Sequence, residues 1–178
     1  AWVHSSNMKF VKLFILFTFI NLGNLNAETP YYIDFKYVLN ESVAGKKAQE
    51  DLKNQLQKGL GQVKTKEKKI QDEEKKIIQQ KKLISSEEYK KKVNELRTQV
   101  SKLQTERQKL LNSVAQRRAK AKNELLKSLN PLIEAYMKEK NIKMVIDKKY
   151  LLLANKELDI TKDITNLLNG KLKSLSYK

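Results

Sequence analysis

Between Ala44 and Asn130 the chain contains no proline, and its apolar residues return at coiled-coil intervals. This stretch decides most of what the polypeptide can fold into. In its first part Leu56, Val63, Ile70, Ile77 and Ile84 recur every seventh residue, the repeat that keeps one seam on one side of a helix. The companion positions are mostly polar, Lys66 and Glu73 among them. The stripe is therefore thin: it can sustain a narrow seam but not the side of a globule. In the second part Tyr89, Val93, Leu96, Val100, Leu103, Leu110, Val114 and Ala121 follow steps of three and four, interrupted at Arg107.

The two parts are separated by Ser85-Ser86-Glu87-Glu88. Ser85 with Glu88 matches a capping box, in which the serine oxygen accepts from the N3 amide and the glutamate reaches back. Ser86 is the competing cap. One continuous helix is the alternative, and the caps argue against it. Two helices, 44–84 and a second running to about 130, would each span on the order of 60–65 Å. A two-residue break between equal helices turns the chain antiparallel to itself. Folding about the serine pair puts Ile77 near Val93, Ile70 near Val100, Val63 near Arg107 and Leu56 near Val114. Gly59 and Gly61 each cost about 1 kcal/mol inside a helix and are either harmless weak spots or a place where the arm bends.

Both ends of the chain carry strand signals. Pro30-Tyr31-Tyr32-Ile33-Asp34-Phe35 is aromatic and partly β-branched, a short strand, and 37–42 suits a turn of helix. Asn130-Pro131 kinks or restarts the second helix, after which Leu132, Ile133, Tyr136 and Met137 form an apolar face ending at Asn141. Residues 143–147 read as a buried strand and 150–154 as another, joined by a Lys148-Lys149 turn. Thr161 or Asp159 caps a final helix through about 172, with Ile164, Leu167, Leu168 and Leu172 facing inward. The expected fold is α+β, mostly α: a long antiparallel helical hairpin, a coiled-coil arm, projects from a small β-containing body built from both chain ends. The divisions are a signal peptide with upstream extension at 1–27, body at 28–43, arm at 44–130 and body again at 131–178. Ile33, Phe35, Leu39, Val145, Ile146, Leu152, Ile164 and Leu168 are its expected oligomerisation body. A body this small is marginal alone and calls for other copies.

The leader is a different material. Met8-Lys9-Phe10-Val11-Lys12 is a basic start, Leu13 to Leu22 an apolar run, and Asn24-Leu25-Asn26-Ala27 a polar stretch ending in a small residue. That is the layout of a secretory signal peptide, cleaved near Ala27 although Leu25 is bulky for its position. Ala1 to Asn7 lie upstream of the candidate initiator Met8. The run is about half the roughly 20 residues a membrane anchor needs. Export is therefore expected. Cleavage removes His4 and Trp2, the lone residues of their types, and Lys9 and Lys12, leaving 35 basic against 20 acidic groups.

What is missing excludes most catalysis. Without cysteine, and without histidine after cleavage, there is no imidazole base, no thiolate and none of the usual zinc ligand sets. Gly59-Leu60-Gly61 lacks the strand, third glycine and Lys-Ser/Thr pair of a phosphate loop. Glu73-Glu74 and Glu87-Glu88 sit among lysines, as solvated helix faces do. The expectation is a non-enzyme that takes no cofactor and no metal.

The pattern resembles the OmpH/Skp family of periplasmic chaperones. The resemblance rests on the leader, on Tyr31 to Ser42, on the charged hairpin, on Asn141-Ile142-Lys143-Met144-Val145-Ile146-Asp147 and on Leu158 to Ile164. It implies a homotrimer whose β-rich body carries three helical arms around a cavity, a holdase for unfolded outer-membrane β-barrel proteins that uses no ATP. It defines no client-binding motif; a membrane-surface or lipopolysaccharide contact belongs to the same expectation.

The arms have the charge for such work. Residues 44–84 hold 12 lysines against 6 acids, and 87–130 hold 12 basic against 5 acidic residues. Three such arms would concentrate acidic partners in a salt-sensitive way. Lys64, Lys68, Lys75, Lys82, Lys91, Arg117 and Lys120, with the off-seam Ile78 and Leu83, are the candidate client contacts. Any single lysine among them is as well explained as a solubilising face. Two other classes compete: a structural coiled-coil spacer of the envelope, and a nucleic-acid binder suggested by a pI near 9.8. Against the second stand interleaved acids, sparse aromatics in the arms and the export signal, so specific nucleic-acid binding is not expected.

Overall fold

A computed structural model of the chain describes residues 28–177, so the expected leader at 1–27 lies outside them. Strand β1 (Tyr31–Ile33) ends at Asp34, whose carboxylate accepts from the Tyr37 N–H at 2.9 Å and so starts helix α1 (Phe35–Glu41). One residue, the fully buried Ser42, then serves two helices. Its N–H closes α1 on the Val38 carbonyl, and its Oγ accepts from the Gly45 N–H at 3.1 Å to cap α2 (Val43–Gln80).

Helix α2 has 38 residues, about 57 Å at 1.5 Å per residue. A short turn follows, and helix α3 (Ser86–Lys140) returns along α2 for 55 residues. Ser85, not Ser86, is the cap: its Oγ accepts from the Glu88 N–H at 3.2 Å, the forward half of the expected box. The hairpin is thus as expected. Between the two rods Lys92 meets Gln80, Lys66 meets Glu106 and Arg117 meets Gln55. The turn begins at Lys81, three residues before the expected helix end. Arg107, expected near Val63, pairs with Glu67 at 3.5 Å, one turn farther along α2. The buried seam keeps Leu52, Val63 and Ile77 of α2 and Leu103, Val114, Ala121 and Leu125 of α3.

Pro131 does not restart α3, which runs through it to Lys140. Leu125, Leu129 and Leu132 are buried around it, and their packing outweighs one missing backbone donor. The helix ends where expected, at Asn141, in the left-handed region with φ 54°.

Strand β2 (Val145–Asp147) pairs parallel with β1, Tyr31 opposite Val145 and Ile33 opposite Asp147. Parallel strands need a long crossover, and here the whole arm is that crossover. The second expected strand, 150–154, does not form. The Asp147 side chain accepts from the Lys149 N–H and starts a 3-10 turn at Lys148–Tyr150. Among the described residues the apolar run after it pairs with no strand, and Leu152 and Leu153 stand 96% and 90% exposed. Leu152 therefore does not belong to the interior of the body.

The chain closes with helix α4 (Thr161–Lys171). Neither expected residue is its cap: Ile160 holds that position without a side-chain bond, and Asp159 accepts from the Thr161 N–H at 2.9 Å just ahead of it. The Thr161 hydroxyl in turn accepts from the Asp34 N–H at 2.9 Å, tying the two chain ends together. The core comprises Ile33, Val38, Ala44, Leu125, Leu129, Leu132, Ile142, Ile160, Ile164 and Leu168, with Phe35, Leu39 and Val145 packed against it. Leu167, expected inward, is exposed. Body and arm share this core, because α3 passes from one into the other.

Candidate functional site

The hairpin presents its candidate contacts on solvated faces. A two-helix seam covers one side of each rod and leaves the others in water. Lys64, Lys68, Lys75, Lys82, Lys91 and Lys120 are exposed. Arg117 is different: it is partly buried, and its guanidinium donates to Gln55 Oε1 at 2.5 Å, which fastens α3 to α2. Lys66 is likewise engaged, by Glu106.

The apolar candidates gather at the distal end. Ile78 is 59% exposed and Leu83 82% exposed. Ile78 follows the buried Ile77 and so lies off the seam, and Leu83 lies in the turn. Lys81, Lys82, Lys90 and Lys91 surround them in sequence, and the Lys81 ammonium lies 5.6 Å from the centre of the Tyr89 ring. Just below, a groove of about 660 Å³ runs between the helices, with Lys69, Lys76, Lys91 and Lys92 facing Asp72, Glu73, Glu88 and Glu95. This open mixture of signs contrasts with the low-dielectric pocket that tunes a catalytic acid or base. Among the described residues no group of three acidic, histidine or cysteine side chains could hold a metal ion.

The body carries a second candidate surface that sequence reading had hidden. Met144, Tyr150, Leu152 and Leu153 are all exposed, and a groove of about 530 Å³ lies among Tyr32, Leu151, Leu153, Lys156 and Asp159. An apolar run of this kind reads as a buried strand; among the described residues nothing covers it. Polar ties hold the body beneath it. Burial pushes the Asp34 carboxyl up, but the Tyr37 N–H and the Lys148 ammonium 3.2 Å away outweigh this and leave it below its ordinary value. The Tyr136 hydroxyl donates to Asp163 at 2.6 Å, and this bond, with burial, pushes its pKa up to about 12.

Residues 31–168 match the outer membrane protein (OmpH-like) family, from the first residue of β1 to the buried Leu168 of α4. The chain belongs to the OmpH-like family. A crystal structure from Caulobacter crescentus CB15, described as an outer membrane chaperone (OmpH-like), has the same fold. It superposes with a TM-score of 0.77 at 20% identity, covering 84% of this chain and 90% of that one. At that identity the likeness speaks to fold alone. Among curated proteins none matches the chain. The OmpH-like match takes in both the arm and most of the small body from which it projects.

Proposed function

We propose that this OmpH-like protein is a chaperone of the periplasm that holds unfolded outer-membrane β-barrel proteins without using ATP. The observation that carries the reading is the arm's distal surface, where exposed Ile78 and Leu83 stand among exposed lysines rather than in a closed pocket. Many weak apolar contacts suit a client with no fixed shape. The positive field raises its local concentration, and salt weakens that field. Release follows when the client's own folding buries the segments that the arms had covered.

In this reading three copies associate through their bodies, and the exposed 150–154 run is the surface they bury. A sheet of two short strands is marginal by itself, and each leucine taken from water contributes about 1.5–3 kcal/mol. The arms then surround a common space. Contact of the basic tips with a membrane surface or lipopolysaccharide belongs to the same picture. An envelope spacer is the competing reading; it gives no reason for exposed apolar residues at a free tip.

The test is aggregation of a urea-unfolded outer-membrane β-barrel protein diluted into buffer, followed by light scattering with and without the chain. Suppression near one trimer per client, weakening between low and high salt, is the expected result. Scattering that the chain leaves unchanged at any ratio would sink the chaperone reading; suppression insensitive to salt would remove its electrostatic half.

A further inference from the structure

The root of the arm is tied to the body at two levels. At the first turn of α2, Ser42 caps the helix and the Val43 N–H donates to Asn169 Oδ1 at 2.8 Å. Two turns farther out, the segment after α4 reaches back along the arm. Leu172 is packed against the body core, and Leu175 against both that core and a second, smaller one. Tyr177, 8% exposed, completes the second cluster with Ala48 and Leu52 of α2 and Ala121 of α3. Its hydroxyl bonds Asp51 Oδ2 at 3.1 Å. Alanine on each helix leaves the room that a ring needs.

We propose that the segment 172–177 is a brace that sets how far the arm swings from the body. Because α3 is unbroken from arm to core, the arm can lean only by bending α3 outside Leu125 and turning α2 at its capped start. The Tyr177 ring sits across both helices at that level and resists both movements. Beside it a groove of about 720 Å³ lies among Leu39, Leu52, Leu125, Arg118 and Lys122, space into which the root can settle once the ring leaves. The consequence for client capacity rests on the chaperone reading; the brace itself does not.

The chain has no cysteine, so cysteines placed at Ser86 on the tip and Lys156 on the body carry spin labels without interference. Labelled full chain, diluted with unlabelled chain, gives the tip-to-body distance distribution. Tyr177→Ser is expected to widen that distribution about twofold and to speed amide exchange at 46–56 about tenfold, with helix content kept. Tyr177→Leu keeps an apolar side chain in the seat but loses the ring's reach and its bond; it should shift both readouts the same way, and it carries the test if Tyr177→Ser does not fold. Widths and exchange equal to those of the unaltered chain would overturn the brace. Client holding, measured separately on the unaltered chain, fails or succeeds without affecting this outcome.

Discussion

Glycine inside a helix costs about 1 kcal/mol relative to alanine only where a methyl group would fit, and along α2 the fit differs at each position. A Cβ at Gly61 would have no neighbour within 4 Å. At Gly59 it would stand 2.5 Å from Leu110 Cδ2, so this glycine is a notch for a facing leucine rather than a hinge or an idle weak spot. At Gly45 it would stand 2.1 Å from the Leu39 carbonyl oxygen, where α1 and α2 meet. Gly61→Ala should therefore stabilise by about 0.5–1 kcal/mol, Gly59→Ala by less because Leu110 must move, and Gly45→Ala should cost about 1–3 kcal/mol because backbone must give way. Urea midpoints at one chain concentration would rank the three, and a fully stable Gly45→Ala protein would contradict the ranking. Asp34 adds a dependence on pH. Its folded carboxyl lies below the ordinary value, so its contribution is present above the unfolded pKa of about 3.9 and is lost as pH falls through the folded one. Asp34→Asn should be less stable than the unaltered chain near neutral pH, with the gap closing in acid. A gap that stays constant from about pH 7 to about pH 3 would refute the assignment.

At the scale of elements, the serine turn separates two residues that sequence alone left in competition. Ser85 Oγ accepts from the Glu88 N–H, while Ser86 is already the first helical residue. Ser85→Ala should cost about 1 kcal/mol, and Ser86→Ala a few tenths at most; thermal melts of the two variants decide it, and equal losses would mean that the cap is shared. The hairpin was legible because heptad spacing and a capping signal are local, period-based features. The end of its first helix was not: Lys81 to Ile84 leave the helix although Ile84 continues the seven-residue repeat. Of the two outcomes expected at Pro131, a kink or a restart, the restart lost to the packing of Leu125, Leu129 and Leu132 in the core. The body's interior was partly legible, Ile164 and Leu168 being buried as expected and Leu167 not. Apolar character marks a residue as needing cover without saying which chain supplies it. The brace left a still weaker trace, two alanines and a tyrosine far apart in sequence.

At the scale of the whole molecule, two large terms oppose each other. A formal charge of +17 makes copies repel, more so at low salt. Exposed Tyr150, Leu152 and Leu153, beside a two-stranded sheet with little interior of its own, favour association. If the leucine pair is what copies bury, its removal from water supplies about 3–6 kcal/mol, at least two decades in an association constant. Replacing both, Leu152→Glu with Leu153→Glu, alters no buried side chain of the single chain, so the folded body should survive locally while association is lost. Light scattering coupled to size exclusion should give the trimer mass for the unaltered chain and the monomer mass for the double variant at the same micromolar concentration. The melting temperature of the unaltered chain should rise with its concentration, as it does when assembly and folding are linked, whereas that of the variant should not. Added salt separates the two terms, because screening relieves repulsion between arms but cannot restore an apolar contact. A double variant that still runs as a trimer, at any salt, would show that the copies meet elsewhere.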